Sequence, residues 1–380
     1  MRLWTLLISL LFFGAKTADA QMQDTTTVAT KNTKEKRGVF HAIGNVFTKL
    51  FRNFNTIDTT YIEPQHYNYT AMLQNTNTYE SYSIKSSSGQ KFSFSPKPSV
   101  KIGPYIGWRW VFLGYTFDIN HLESSNTKSE FDLSLYSSML GIDLYYRKSG
   151  DDYRITSAHL GEGYGQDVLK RVPFGGLSVG IKGGDLYYIF NHKRFSYPAA
   201  FSQSTRQKKS CGSLLLGIGY TAHSLSLDYD ALKTVVDDYV GKHPDENSKG
   251  VTLNEDFNFK SVKYESYSAS IGYAYNWVFL RNCLFSASLS GAVAYKNTRA
   301  DVAKHNVSFE DFNFKNFNFD GIGRFGVVWN NDKVYAGAST ILHSYNYKKS
   351  RFSSSSYFGS LNIYAGINFG LKHAYKKQNK

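Results

Sequence analysis

Between residues 264 and 296 the chain alternates bulky and small side chains twice, on either side of a short break. Tyr267, Ala269, Ile271, Tyr273, Tyr275 and Trp277 share one phase, and Ser268, Ser270, Gly272, Ala274 and Asn276 the other. After the break, Phe285, Ala287, Leu289, Gly291, Val293 and Tyr295 alternate with Ser286, Ser288, Ser290, Ala292, Ala294 and Lys296. A period of two sends successive side chains to opposite faces of a sheet. One face of this hairpin is therefore apolar and ends in aromatics, while the other is small and polar. Strands look this way when one side meets lipid and the other a crowded or wet lumen.

The same pattern recurs along the chain. Val100, Ile102, Ile106 and Trp108 alternate, a turn near Arg109 follows, and Leu113, Tyr115, Phe117 and Ile119 return. Phe131, Leu133 and Leu135 hold one phase, and Leu140, Ile142, Leu144 and Tyr146 the opposite one. A phase slip of one residue predicts a β-bulge near Ser137-Ser138. Further strands are expected from Leu177, Leu214, Phe317, Val334 and Tyr357. Short turns are expected near Arg109, Gly150, Lys193, Arg281 and Asn331. Longer polar connectors cover residues 86–98, 122–130, 160–172, 232–262, 298–315 and 347–356. Short turns at one end and long loops at the other mark a transmembrane barrel. The expected fold is all-β: an antiparallel up-and-down transmembrane β-barrel of about 12–14 strands, with an N-terminal amphipathic helix. The strand count depends on whether Thr221-Ala222-His223 is a turn.

The N-terminus sets the route. Residues 1–20 have a basic Arg2, an apolar run to Ala15 and Ala18-Asp19-Ala20 before Gln21, the form of a secretory signal peptide. Residues 21–37 are a polar lead-in with a basic end. In residues 38–54, Val39, Phe40, Ile43, Val46, Phe47, Leu50, Phe51 and Phe54 recur at helical spacing opposite His41, Asn45, Lys49 and Arg52. Such a helix packs on the protein's own surface or lies at a membrane interface. The barrel is assigned residues 55–372, and 373–380 form a basic tail. No apolar run after the leader is long enough for a membrane helix, so a membrane-embedded chain must close its backbone hydrogen bonds as a barrel.

Composition sharpens this picture. The chain has 380 residues, 42% hydrophobic, with 29 Tyr, 28 Phe and 5 Trp. The mean hydropathy is −0.38, which excludes a helical membrane protein. So many aromatics suit two interfacial girdles or the aromatic core of a soluble β-protein. The net charge of +14 comes from scattered residues without a nucleic-acid-binding motif, so the expected partner is anionic membrane lipid and not nucleic acid. Cys211 and Cys283 are too few for a disulfide framework.

Candidate chemistry is sparse. Gly176-Leu177-Ser178-Val179-Gly180 matches a nucleophile elbow, but sits in an alternating strand rather than at a strand-to-helix turn. A membrane-embedded esterase could draw Ser178 and one of His159, His223 and His343 from neighbouring strands. Asp245, Asn247 and Gly250, with Asp256, have calcium-loop spacing, yet Lys249 stands where a ligand oxygen belongs. No motif for a metal or a cofactor is present. The hexapeptide Glu255-Asp256-Phe257-Asn258-Phe259-Lys260 recurs at residues 310–315.

Three stretches carry a likeness: Ile57-Asp58-Thr59-Thr60-Tyr61-Ile62, GPYIGWRWVFLGYTFD from Gly103, and YPAAFSQSTRQKKSCGSLLLGIGY from Tyr197. With them the chain resembles a family found mainly in Bacteroidota, the domain of unknown function 4421, from about Val39 to Leu371. The resemblance implies a Gram-negative host and an outer-membrane-like barrel, and brings no site residues. The expected role is that of an outer-membrane β-barrel acting as a pore, a ligand-binding barrel or a structural component. The alternatives are a lipid-modifying outer-membrane enzyme and a soluble periplasmic β-protein.

Overall fold

The computed structural model describes residues 57–108, 111–115, 117–118, 129–149, 152–161, 169–242, 252–259, 261–299, 316–348 and 352–376. The expected signal peptide, lead-in, amphipathic helix and calcium-like loop, and the second copy of the hexapeptide, lie outside the described residues.

Eleven long strands and one broken strand make the wall: β2 (Tyr67–Ser86), β4 (Ser99–Trp108), β5 (Val111–Gly114) continued by β6 (Phe117–Asp118), β7 (Ser129–Tyr136), β8 (Leu140–Lys148), β11 (Leu177–Ile189), β13 (Cys211–Leu227), β14 (Val262–Leu280), β15 (Cys283–Arg299), β16 (Phe317–Asn330), β17 (Val334–Lys348) and β18 (Phe352–Leu371). The remaining strands are short: β1 (Ile62–Pro64), β3 (Lys91–Ser95), β9 (Arg154–His159), β10 (Val172–Pro173) and β12 (Thr205–Gln207). Among the described residues three helices join them: α1 (Pro198–Phe201), α2 (Tyr229–Lys242) and α3 (His373–Lys376).

Wall neighbours in space are neighbours in sequence, all antiparallel, and β18 returns to pair with β2 along almost its whole length. That is the expected up-and-down barrel, with twelve wall positions. Among the described residues β6 and β7 share no ladder, and residues 119–128 between them lie outside that set. Across that gap Lys101 on β4, one strand in from the edge, forms an ion pair with Glu130 on β7 at 2.8 Å.

The hairpin of β14 and β15 stands as its alternation predicts. Ile271, Leu289 and, on β18, Ile363 point outward at 60%, 65% and 51% exposure, while Ser286, Ser288, Ala274 and Lys296 are buried inside. Outward residues 267–277 of β14 match the roughly 9–11 residues a tilted strand needs to cross hydrocarbon. Tyr220 and Tyr267 touch at the upper edge of this band, with ring centroids 5.3 Å apart.

Several expectations change. Ser137-Ser138 is a turn between β7 and β8, closed by Ser137 N–H to Leu140 C=O at 2.9 Å, and not a bulge. The phase flips because two outward-facing strands are joined by an odd-length link. The turns expected near Arg109 and Gly150 fall on residues outside the described set. Thr221-Ala222-His223 runs straight through β13. The connector 347–356 shrinks, because β17 reaches Lys348 and β18 begins at Phe352. The turn expected at Lys193 is present, with the Arg194 N–H donating to Asn191 C=O at 3.0 Å, but it leads into a folded insertion, residues 190–210, instead of directly into the next long strand. On β11, Leu177, Val179 and Ile181 face inward and are buried. Beyond the outward apolar band the sheet has its apolar face turned in. There Phe92, Phe94, Ile155, Leu232, Val236 and Phe257 join them in one core. No described helix is long and apolar enough to cross a membrane.

Candidate functional site

Among the described residues the inside of the wall carries successive layers of side chains, each with its own chemistry. At the short-turn end the insertion 190–210 folds into the barrel mouth. Pro198 starts α1, where its fixed φ suits the first helical turn and its missing N–H costs nothing. Phe195, Tyr197, Ala199 and Ala200 are buried. The wall grips this plug through amides: Asn276 Nδ2 donates to Ser196 C=O at 2.8 Å and to Gln207 Oε1 at 3.0 Å. Gln203 Nε2 donates to Tyr364 Oη at 3.1 Å, and Asn330 Nδ2 to Gln203 Oε1 at 3.0 Å. Outside it, β1 pairs with β12 as a strap. Arg206 bridges Glu63 of the strap to Asn282, 2.8 Å away in the β14–β15 turn, and His66 meets Asp332 of the β16–β17 turn at 2.8 Å. Burial pushes the Asp332 carboxyl above its usual value, and the His66 imidazole pulls it partly back. Asp58 goes the other way: hydrogen bonds from the Thr60 hydroxyl and N–H hold its carboxyl below the usual value, with Arg194 adding to them.

Above the plug lie buried charges. Arg324 on β16 pairs with Asp143 on β8, and its guanidinium lies over the Tyr187 ring at 4.5 Å. That ring fits because position 141 is glycine; a methyl on Gly141 would collide with it. Lys296 on β15 pairs with Asp320 at 2.8 Å and donates to Asn346 C=O at 2.6 Å. Arg147 on β8 reaches Glu80 on β2 at 3.3 Å and Asp132 on β7 at 2.7 Å. Aromatic rings fill the space between: His223 stacks on Tyr264 at 4.6 Å, Tyr264 on Tyr347 at 4.4 Å, and His343 on Phe358 at 4.9 Å. Charges this deep persist only when paired and hydrogen-bonded.

Beside this lattice a cavity of about 500 Å³ remains between β2, β4, β7, β17 and β18. Gln74, Thr76 and Asn362 form its hydrogen-bonding wall, linked at 2.8–3.1 Å. Ser339 and Ser360 add hydroxyls, and Lys101, Glu130 and Asp132 add charge. The plug residues Phe201 and Gln203 line it as well. Hydroxyls and amides of this kind suit a small polar ligand. Among the described residues no group of three or more His, Cys, Asp or Glu could share a metal ion.

The expected nucleophile and bases do not meet. Ser178 is exposed on the outer face of β11, opposite Ser226 of β13. His223 and His343 are buried inside, among tyrosines. A sheet thus separates Ser178 from both imidazoles. His159 sits on β9 opposite Lys91. Cys211 and Cys283 are both free thiols, and β14 runs between their strands. The lumenal ion pairs escaped the search for motifs. Their one sequence signal is a charge at the inward parity of an apolar strand, as at Lys296, Asp320 and Arg324.

A family model described as a domain of unknown function (DUF4421) matches residues 56–369. No curated protein matches the chain. Among solved structures, the outer membrane protease OmpT from Escherichia coli is 8% identical, with 83% of this chain and 100% of that chain covered and a TM-score of 0.32. The translocator domain of the autotransporter NalP from Neisseria meningitidis is 10% identical, with 87% and 95% covered and a TM-score of 0.28. The toluene transporter TodX from P. putida is 8% identical, with 80% and 91% covered and a TM-score of 0.23.

Proposed function

The chain belongs to the family of the domain of unknown function DUF4421, and on that premise we propose that it is an outer-membrane β-barrel with a sealed lumen, which binds a small polar ligand in its side cavity and conducts no solutes. The observation that carries this reading is the stack of buried groups that cross the inside of the wall. The plug 190–210, the bridges of Arg324, Lys296 and Arg147, and the apolar core above them occupy successive levels of one barrel. Of the three roles expected from the sequence, an open pore fits this interior least.

The membrane assignment draws on the outward band around Ile271, Leu289 and Ile363 and on the secretory leader at residues 1–20. The Bacteroidota likeness suits a Gram-negative host. Exposed apolar area on this scale disfavours the soluble periplasmic reading, since monomers in water rarely carry such patches.

The test is planar-bilayer recording on the refolded full chain, alongside membrane fractionation and heat-modifiable gel migration. Heat-modifiable migration without conductance steps is expected. Stable conductance steps overturn the sealed lumen, and recovery as a detergent-free soluble protein overturns the membrane assignment. For the cavity, a thermal-shift panel of neutral sugars and zwitterionic amino acids is compared with Asn362→Leu. A ligand that stabilises the wild type and not the variant supports the site, while no response from any panel member counts against it.

A further inference from the structure

Outside the barrel, four adjacent strands carry a groove of about 430 Å³ at the upper edge of the apolar band. The ladders place its residues in rows. Lys148 of β8 stands opposite Gly180 of β11, and Ser224 of β13 opposite Lys263 of β14. One row lower, Lys182 of β11 lies between Tyr146 and Ala222. Below that come Tyr220 and Tyr267, already in ring contact at the band's edge. The floor is Gly180, Ala222 and Ser224, so nothing bulky fills the trough between the lysines. All three lysines are exposed, and none has a carboxylate partner among the described residues. Glu265 borders the groove on the Lys263 side.

We infer that this groove holds the headgroup of a lipid bearing two phosphate groups, seated in the leaflet at the long-loop end. The inference rests on the membrane assignment proposed above. Lys148 and Lys182 are diagonal neighbours on adjoining strands, close enough to clasp one phosphate. Lys263 lies three strands from Lys148, roughly 14 Å at the usual strand spacing, too far to share that phosphate and well placed for a second. Ser178 and Ser224 offer hydroxyl donors between them. The groove opens downward onto tyrosines and then onto apolar wall, so its occupant carries acyl chains into the band. A free inorganic anion has no use for that continuity. Lysines beside an anionic surface are worth about a fivefold factor in affinity each, so removing three weakens binding on the order of 100-fold.

The test titrates full-length protein in neutral detergent with bisphosphoryl lipid A, monophosphoryl lipid A, phosphatidylglycerol and inorganic phosphate, read by native mass spectrometry. The variants are Lys148→Gln/Lys182→Gln/Lys263→Gln and, as control, Lys348→Gln on β17. Bisphosphoryl lipid is expected to bind tightest, the triple variant to lose most of that affinity, and the control to match wild type. Equal binding by triple variant and wild type overturns the site. Equal binding of all anionic lipids overturns the two-phosphate specificity, and displacement by inorganic phosphate at comparable concentration overturns a lipid occupant. Heat-modifiable migration is checked on every sample. Its absence from the wild type counts against the membrane barrel itself; its presence there with lipid binding unchanged in the triple variant counts against the groove alone.

Discussion

Arg324 on β16 donates to the carboxylate of Asp143 on β8, five ladders away around the wall, so the bond spans the lumen and not one ladder. Both side chains are buried. Breaking such a pair from one side leaves an unpaired charge in a low-dielectric interior, at a cost of about 3–5 kcal/mol. Replacing both partners with apolar groups of similar volume is often neutral. Arg324→Met is therefore expected to lower the denaturant midpoint of the refolded barrel strongly, while Arg324→Met with Asp143→Leu recovers most of the loss. Equal destabilisation in the single and double variants would show that the pair is not a unit.

Asn276 makes a second test. Its amide is the wall's grip on the plug, donating to both Ser196 C=O and Gln207 Oε1. Asn276→Leu takes the donor from the buried Ser196 C=O and one of two donors from Gln207 Oε1, which keeps the Ser196 N–H at 3.0 Å, a penalty of about 1–3 kcal/mol. The plug carries Arg194, Arg206, Lys208 and Lys209, so trypsin reports its release directly. Faster cleavage within residues 190–210, with heat-modifiable migration retained, is the expected result. Unchanged cleavage would place the grip elsewhere.

The plug also shows where sequence reading stops. Tyr197 to Tyr220 carries part of the family likeness, yet alternation begins only near Leu214, and nothing in Tyr197-Pro198-Ala199-Ala200 says that it folds back inside a barrel. Alternation separates two faces without saying which is inside. Within the outward apolar band the bulky face of β14 points out. On β11 the same rule, applied to Leu177, Val179 and Ile181, gives the wrong side, because those residues lie beyond that band and pack into the core of Phe92, Phe94 and Ile155. The slip at Ser137-Ser138 has a similar origin: a one-residue phase change reads alike for a bulge and for an odd-length turn. The hairpin of β14 and β15, the next-neighbour order and a wall within the expected 12–14 strands were legible, since each rests on local periodicity. The lumenal pairs were not, because Arg324 and Asp143 are 181 positions apart.

Asp58 ties the strap to the plug: its carboxylate accepts from the Thr60 N–H at 3.0 Å and from Arg194 Nε at 3.3 Å, and its own N–H reaches Lys193 C=O at 2.7 Å. These contacts favour the ionised form, so the folded pKa lies below the ordinary 3.8. For an acid shifted downward, the stabilisation is complete above the unfolded value and fades as pH falls through the folded one. Hydrogen exchange at Thr60, corrected for intrinsic rate, is expected to show constant protection above pH 3.8 and declining protection below it. Asp58→Asn should abolish the pH dependence and hold the low-pH level throughout. A decline that survives in the variant would assign it to another group.

Leu289 lies at the middle of the outward band on β15 and Ser226 on the outer face of β13 above it, so on the membrane assignment proposed above the first faces lipid and the second water. A lysine at the bilayer midplane of a barrel costs about 2–4 kcal/mol, falling to about 0–1 near the interface. Leu289→Lys is therefore expected to destabilise the protein in phosphatidylcholine bilayers by the larger amount, and Ser226→Lys by the smaller. The same pair in detergent-free buffer supplies the contrast. A soluble protein would accept an exposed lysine at either site with little change, since Leu289 is already 65% exposed. A depth-dependent difference in bilayers is thus the signature of hydrocarbon around the wall, and equal, small effects at both positions would remove the membrane from the picture.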